Sequence, residues 1–127
     1  MEVGKIIMGN IFWKPKVYKL FNDEQVVGFF TVNLNKIGEY EYDLKFHKKE
    51  YEPWSFSLAN SFNNYSKELV KSWVEERVFP KERENIREIL DQLGIEEYDQ
   101  FLILKARRGK GGMDRLWIDF SNLINET

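Results

Sequence analysis

Trp73, Arg77, Pro80 and Arg83 stand at the spacing W-x3-R-x2-P-x2-R. Guanidinium groups bind carboxylates and phosphates through paired N–H donors, so this constellation points to anion recognition. Trp73 and Arg77 are four apart and therefore share one face of a helix. Arg77 and Arg83 flank a proline corner, where they could converge on a common anion. Asp114, just ahead of Leu116-Trp117-Ile118, is the expected partner, held in a forked geometry. The favoured reading is structural: a clamp that ties the helix corner to the last strand. The functional reading is an anion site for a partner or ligand.

A second group is the loop Arg107-Arg108-Gly109-Lys110-Gly111-Gly112, the most basic stretch of the chain. Arg107, Arg108 and Lys110 among flexible glycines could cradle a phosphate or a nucleic-acid backbone. Its glycine and lysine spacing is not that of a phosphate-binding P-loop, and no Ser or Thr follows the lysine. A solvated turn between helix and strand is preferred, because the formal net charge of −2 opposes binding to a polyanion.

The remaining titratable groups suggest little chemistry. His47 is the only histidine and has no partner at ligand spacing, so a strand-end surface position is expected. Glu39, Glu41 and Asp43 fall on one strand face and could hold a divalent cation, but a solvated sheet face is the preferred reading. With no paired acid–base set in view, the expectation is a non-enzymatic chain with no catalytic residues, no metal and no cofactor.

The elements that must position these groups read as α+β. Lys5–Trp13, Val17–Phe21, Val26–Leu34 and Glu39–His47 are rich in β-branched and aromatic residues. They predict an N-terminal antiparallel β-meander of three or four strands. In Glu39–His47, Tyr40, Tyr42, Leu44 and Phe46 point one way while Glu41, Asp43 and Lys45 point the other. Residues 51–65 read as a loop pinned to the core by Trp54, Phe56, Leu58 and Phe62.

Two or three C-terminal helices follow. Ser66 caps the first, which carries Leu69, Val70, Trp73, Val74 and Arg77. Pro80 suits the first turn of the second, with Glu82 and Glu84 early and Ile86, Ile89, Leu90 and Leu93 as its buried stripe. Gly94 ends it. A third runs from Glu96 to about Lys105, and Leu116–Phe120 is a final strand that joins the sheet. No repeat or linker appears, so residues 1–127 are read as one domain.

Composition fits that reading. The 127 residues are 43% hydrophobic and 16% aromatic, enough to argue against disorder. Absence of cysteine excludes disulfides and thiolate sites, and suits a reducing cytoplasm. The opening stretch MEVGKIIMGNIFWKPK reads as lacking a signal peptide, and no run is long enough to span a bilayer. Four tryptophans and six tyrosines exceed what a small core must hold, and both types favour interfaces.

The run VKSWVEERVFPKERENIREILDQLGI, with MDRLWI after it, resembles a small module at the N-terminus of HipA-like kinase proteins of Gram-positive bacteria. Trp73, Arg77, Pro80 and Arg83 match the first part of that pattern, and Asp114, Trp117 and Ile118 match its D-x-x-W-I strand. The start VYKLFNDEQVVGFFTV is similar to the module's opening hairpin. Phe79 departs from the usual isoleucine, the loop RRGKGGMD is longer and more basic, and the kinase body is missing. The resemblance implies a free-standing accessory module that binds and restrains a kinase toxin. An alternative is a phage-encoded inhibitor of a bacterial defence nucleoprotein such as a CRISPR effector. A nucleic-acid contact through Arg107, Arg108 and Lys110 is a weaker alternative. Self-association through a sheet edge also stays open.

Overall fold

In the computed structural model, residues 14–58 and 61–124 are described. The predicted strand Lys5–Trp13 lies outside them. The strands follow from two-residue alternation. In β1 (Lys16–Asn22), Tyr18 and Leu20 are buried while Lys19 is exposed. In β2 (Gln25–Leu34), Val27, Phe30 and Val32 are buried. In β3 (Tyr40–Phe46), Leu44 and Phe46 are buried and Lys45 is exposed. With β4 (Leu116–Asp119) these strands form a four-stranded antiparallel sheet of order β3-β2-β1-β4. The predicted last strand therefore does join the N-terminal sheet, pairing Leu20 with Ile118.

The turns have local causes. Asp23 follows β1 with φ +53, a left-handed conformation that aspartate tolerates better than most residues. Between β2 and β3, the Asn35 Oδ1 accepts from the amides of Ile37 and Glu39, and Gly38 takes φ +83. Gly28 on β2 is required by close approach. A Cβ there would stand 2.0 Å from the Lys45 carbonyl oxygen of the neighbouring strand.

One face of the sheet is covered by α1 (Trp54–Ser57), α2 (Lys67–Glu75) and, after α3 (Ile86–Leu93), α4 (Gln100–Ala106), on which α3 packs. Phe56 of α1 packs on Phe46, Trp73 of α2 on Phe30, and Phe101 of α4 on Tyr18. Each large side chain so buried contributes roughly 1.5–3 kcal/mol. Ser66 caps α2 by accepting from the Leu69 amide, and Gly94 ends α3 at φ +74.

Four sequence expectations need correction. Residues 51–65 are not plain loop: a 3-10 turn at Lys49–Tyr51 and helix α1 interrupt them. The second helix does not start at Pro80. Two successive turns, Arg83 N–H to the Pro80 carbonyl and Ile86 N–H to the Arg83 carbonyl, delay it to Ile86, so Glu82 and Glu84 precede it. Helix α2 ends at Glu75, two residues before Arg77. Helix α4 begins at Gln100 and not Glu96, because the Asp99 carboxylate caps it by accepting from the Leu102 amide. No helix among the described residues is long and apolar enough to cross a membrane.

Candidate functional site

Arg77 is fully buried, an unusual place for a guanidinium, and every side of it is occupied. Its Nε donates to the Gly109 carbonyl at 2.9 Å and its Nη1 to the Trp73 carbonyl at 3.2 Å. Its Nη2 faces both Asp114 oxygens, at 2.6 and 2.5 Å. The contact is end-on through one nitrogen, not the forked geometry expected. Asp114 Oδ1 also accepts from the Leu116 amide, so the same carboxylate starts β4. The guanidinium lies 3.7 Å above the Trp73 ring, whose Nε1 is the only buried side-chain polar atom without a partner among the described residues. Gly112 closes the remaining face: a Cβ there would lie 2.5 Å from Nη1. This is an internal clamp, closed to a ligand.

Arg83 does not share an anion with Arg77. Its Nε donates to Asn85 Oδ1, and its guanidinium lies 4.9 Å from the Phe79 ring centre. A second guanidinium, that of Arg107, lies 4.6 Å from the same ring. Arg107 also donates from Nη1 to the Arg77 carbonyl at 3.3 Å, and Gly111 packs on its outer end. Phe79 itself is held by Tyr98, whose hydroxyl donates to the Phe79 carbonyl at 2.7 Å. The sequence pattern singled out Arg77 with Arg83; in the fold each of Arg83 and Arg107 instead lies against the Phe79 ring.

The basic loop therefore splits. Arg107 turns to Phe79, while Arg108 and Lys110 lie over Trp117, at 4.6 and 5.8 Å. Trp117 stacks on Phe21 of β1 at 4.5 Å, and its Nε1 donates to the Asp23 carbonyl. Nor do the first four residues of the loop offer their amides outward. Those of Arg107, Arg108, Gly109 and Lys110 bond to the carbonyls of Ile103, Lys105, Leu104 and Arg107. They finish helix α4 and do not cradle a phosphate.

The expectation that Trp54, Leu58 and Phe62 pin their loop to the core is overturned. Trp54 is 76% exposed, Leu58 63% and Phe62 37%, and Phe56 alone is buried, against Phe46 and Tyr65. Trp54 and Leu58 are four apart across a helical turn, a spacing that could have been read as one outward face.

A cleft of about 390 Å³ is lined by Tyr40, Tyr42, Glu41, Lys67, Lys71 and Gln100 among others. Its tyrosines are committed to structure. Tyr40 donates to the Asp99 carboxylate and Tyr42 to Gln100 Oε1. Burial, then the Asp99 carboxylate, pushes the Tyr40 phenol up to about 12, and burial raises Tyr42 further. Glu41 pairs with Lys67 at 3.4 Å, and Asp43 with Lys45 at 3.7 Å. Those two carboxylates are thus spent on lysines, and no group of three metal-ligating residues exists among the described residues. His47 is exposed at the end of β3, its ring edge-on to Phe29.

Comparison with known proteins finds no matching family model, no similar curated protein and no similar solved structure.

Proposed function

We propose that this chain is a non-enzymatic regulatory protein that acts by binding a protein partner, and that the partner is a HipA-like kinase toxin which it restrains in the cytoplasm. The observation that carries the binding reading is the exposure of Trp54, Leu58 and Phe62 within one short segment. Three large apolar side chains turned to solvent beside a well-packed core resemble an interface anchor more than a folding remnant. The kinase follows from the W-x3-R-x2-P-x2-R and D-x-x-W-I resemblance, whose Arg77 and Asp114 are in contact at 2.6 Å. The rival partner, a defence nucleoprotein, would use the same apolar surface.

The test is reconstitution. The chain is mixed with a HipA-like kinase lacking its own N-terminal module, and complex formation and kinase activity are followed. A complex with reduced kinase activity, lost in Trp54→Ser with Leu58→Ser, supports the reading. Absence of any complex, or unchanged binding by that double variant, sinks it. Binding to a CRISPR effector in place of the kinase would transfer the reading to the defence partner.

A further inference from the structure

Strand β3 lies at one edge of the sheet, and part of its backbone is unused. Residues of an antiparallel pair alternately bond to the partner strand and turn their N–H and C=O groups away from it. The His47 amide donates to the Val27 carbonyl, and the Asn35 amide to the Glu39 carbonyl. In the register between them, Glu41, Asp43 and Lys45 therefore bond to β2, while the backbone groups of Tyr40, Tyr42, Leu44 and Phe46 face outward. Asn63 takes both groups of Phe46. Among the described residues, none bonds to the backbone of Tyr40, Tyr42 or Leu44. Two clefts flank this open stretch. One, of about 390 Å³, is lined by Tyr40, Lys71 and Gln100 on the helix side. The other, of about 280 Å³, is lined by Thr31, Asn33 and Asp43 on the opposite face. Both include Glu41, Tyr42 and Lys67, so they adjoin at the strand itself. We propose that this edge accepts an extended peptide segment of a partner as a further antiparallel strand, with basic side chains turned to Glu41 and Asp43.

Antiparallel pairing continues the geometry of the whole sheet. The added main chain would satisfy the open N–H and C=O groups, and its alternate side chains would enter the two clefts. Main-chain bonds then supply affinity and the clefts supply specificity. Charge selects the side chains. Glu41 and Asp43 line the outer cleft with Lys67 as its only cation. Their ion pairs, with Lys67 at 3.4 Å and Lys45 at 3.7 Å, are exposed and contribute little, so an incoming lysine can replace them. The net charge of −2 favours a cationic segment as well. On the helix side the hydroxyls of Tyr40 and Tyr42 are held by Asp99 and Gln100, which leaves their rings as the wall for an apolar side chain. A second copy fits less well. Two β3 strands paired over the open stretch, Tyr42 opposite Tyr42, would set Glu41 of each against Asp43 of the other. Like charges directly opposite destabilise a strand pair.

None of Trp54, Leu58 and Phe62 lines either cleft, so this proposal and the kinase reading fail separately. A capped heptapeptide of alternating valine and lysine is titrated into the full chain, and amide hydrogen exchange is followed by NMR. Exchange at Tyr42 and Leu44, fast in the free chain, is expected to slow as the peptide saturates. Binding should weaken about five-fold or more when Glu41→Gln is combined with Asp43→Asn. Both carboxylates reach solvent, so that variant keeps the fold. Methylating the peptide nitrogens of the valines removes the donors that face β3 and should abolish binding. Unchanged exchange at Tyr42 and Leu44 overturns the proposal, as does equal binding by the methylated peptide or by one of alternating valine and glutamate. Slowed exchange that grows with protein concentration in the absence of peptide would assign the edge to a second copy and overturn it too.

Discussion

The backbone of Gly112 lies on the buried guanidinium of Arg77, close enough that a Cβ would stand 2.6 Å from its central carbon. Asp114 then supplies the countercharge two residues later. A buried cation that loses its closer carboxylate is left with Glu76 alone, exposed and 3.7 Å away, and its charge is poorly compensated. Asp114→Ala is expected to cost about 2–3 kcal/mol, limited by the partial exposure of Asp114 to water. Gly112→Ala should destabilise as well, because the guanidinium beneath is pinned on every side and cannot retreat. Urea unfolding of both variants checks this; a wild-type midpoint in either would show the clamp to be slack.

Gly28→Ala addresses the sheet. The clash is with a strand carbonyl, 2.0 Å from the added Cβ, and backbone cannot rotate away as a side-chain tip can. A loss of about 3 kcal/mol or more is expected, with β2 and β3 forced apart. Circular dichroism and thermal melting report it, and an unchanged melting temperature would contradict the strand register.

The Tyr40 phenol gives an alkaline signature. Its folded value, about 12, lies above the ordinary value of about 10, because burial and then Asp99 favour the neutral form. Below about pH 10 both folded and unfolded chains keep the proton, and the contribution is fully present. From about pH 10 to about 12 the unfolded chain releases it first, so stability falls as pH rises. Tyr42 and Tyr65 shift the same way and steepen the decline. Tyr40→Phe should flatten it in part. Unfolding free energies measured across that window, with tyrosinate absorbance as the titration readout, test the sign.

What the chain's order made legible is what depends on near neighbours. Alternation placed β3, the Ser66 hydroxyl placed the start of α2, and Gly94 placed the end of α3. The misreadings have long-range causes. Pro80 has the right chemistry for a helix start, but Arg83 takes Asn85 Oδ1 and the chain turns twice before Ile86. Among the four large apolar residues of 54–62, nothing in their types shows that Phe56 alone meets Phe46 and Tyr65. Arg107 and Phe79 are adjacent only because the end of α4 returns beside the end of α2, through the Arg107 bond to the Arg77 carbonyl.

Asn63 bears on self-association. Its side chain accepts from the Phe46 amide at 2.8 Å and donates to the Phe46 carbonyl at 2.9 Å, as a neighbouring strand would. It thereby covers part of the open edge of β3, while the other edge has its Ile118 amide taken by the Arg108 carbonyl. Asn63 sits at φ +59, so two substitutions separate its two duties. Asn63→Gly keeps the backbone conformation and loses both bonds, at a cost of about 1–2 kcal/mol. Asn63→Ala adds the left-handed penalty and should cost roughly 1 kcal/mol more. Both free the Phe46 backbone groups, which then favour pairing with another chain. Sedimentation at rising concentration should show association in both variants and little in wild type. Strictly monomeric variants would mean that Asn63 contributes stability alone and does not guard the edge.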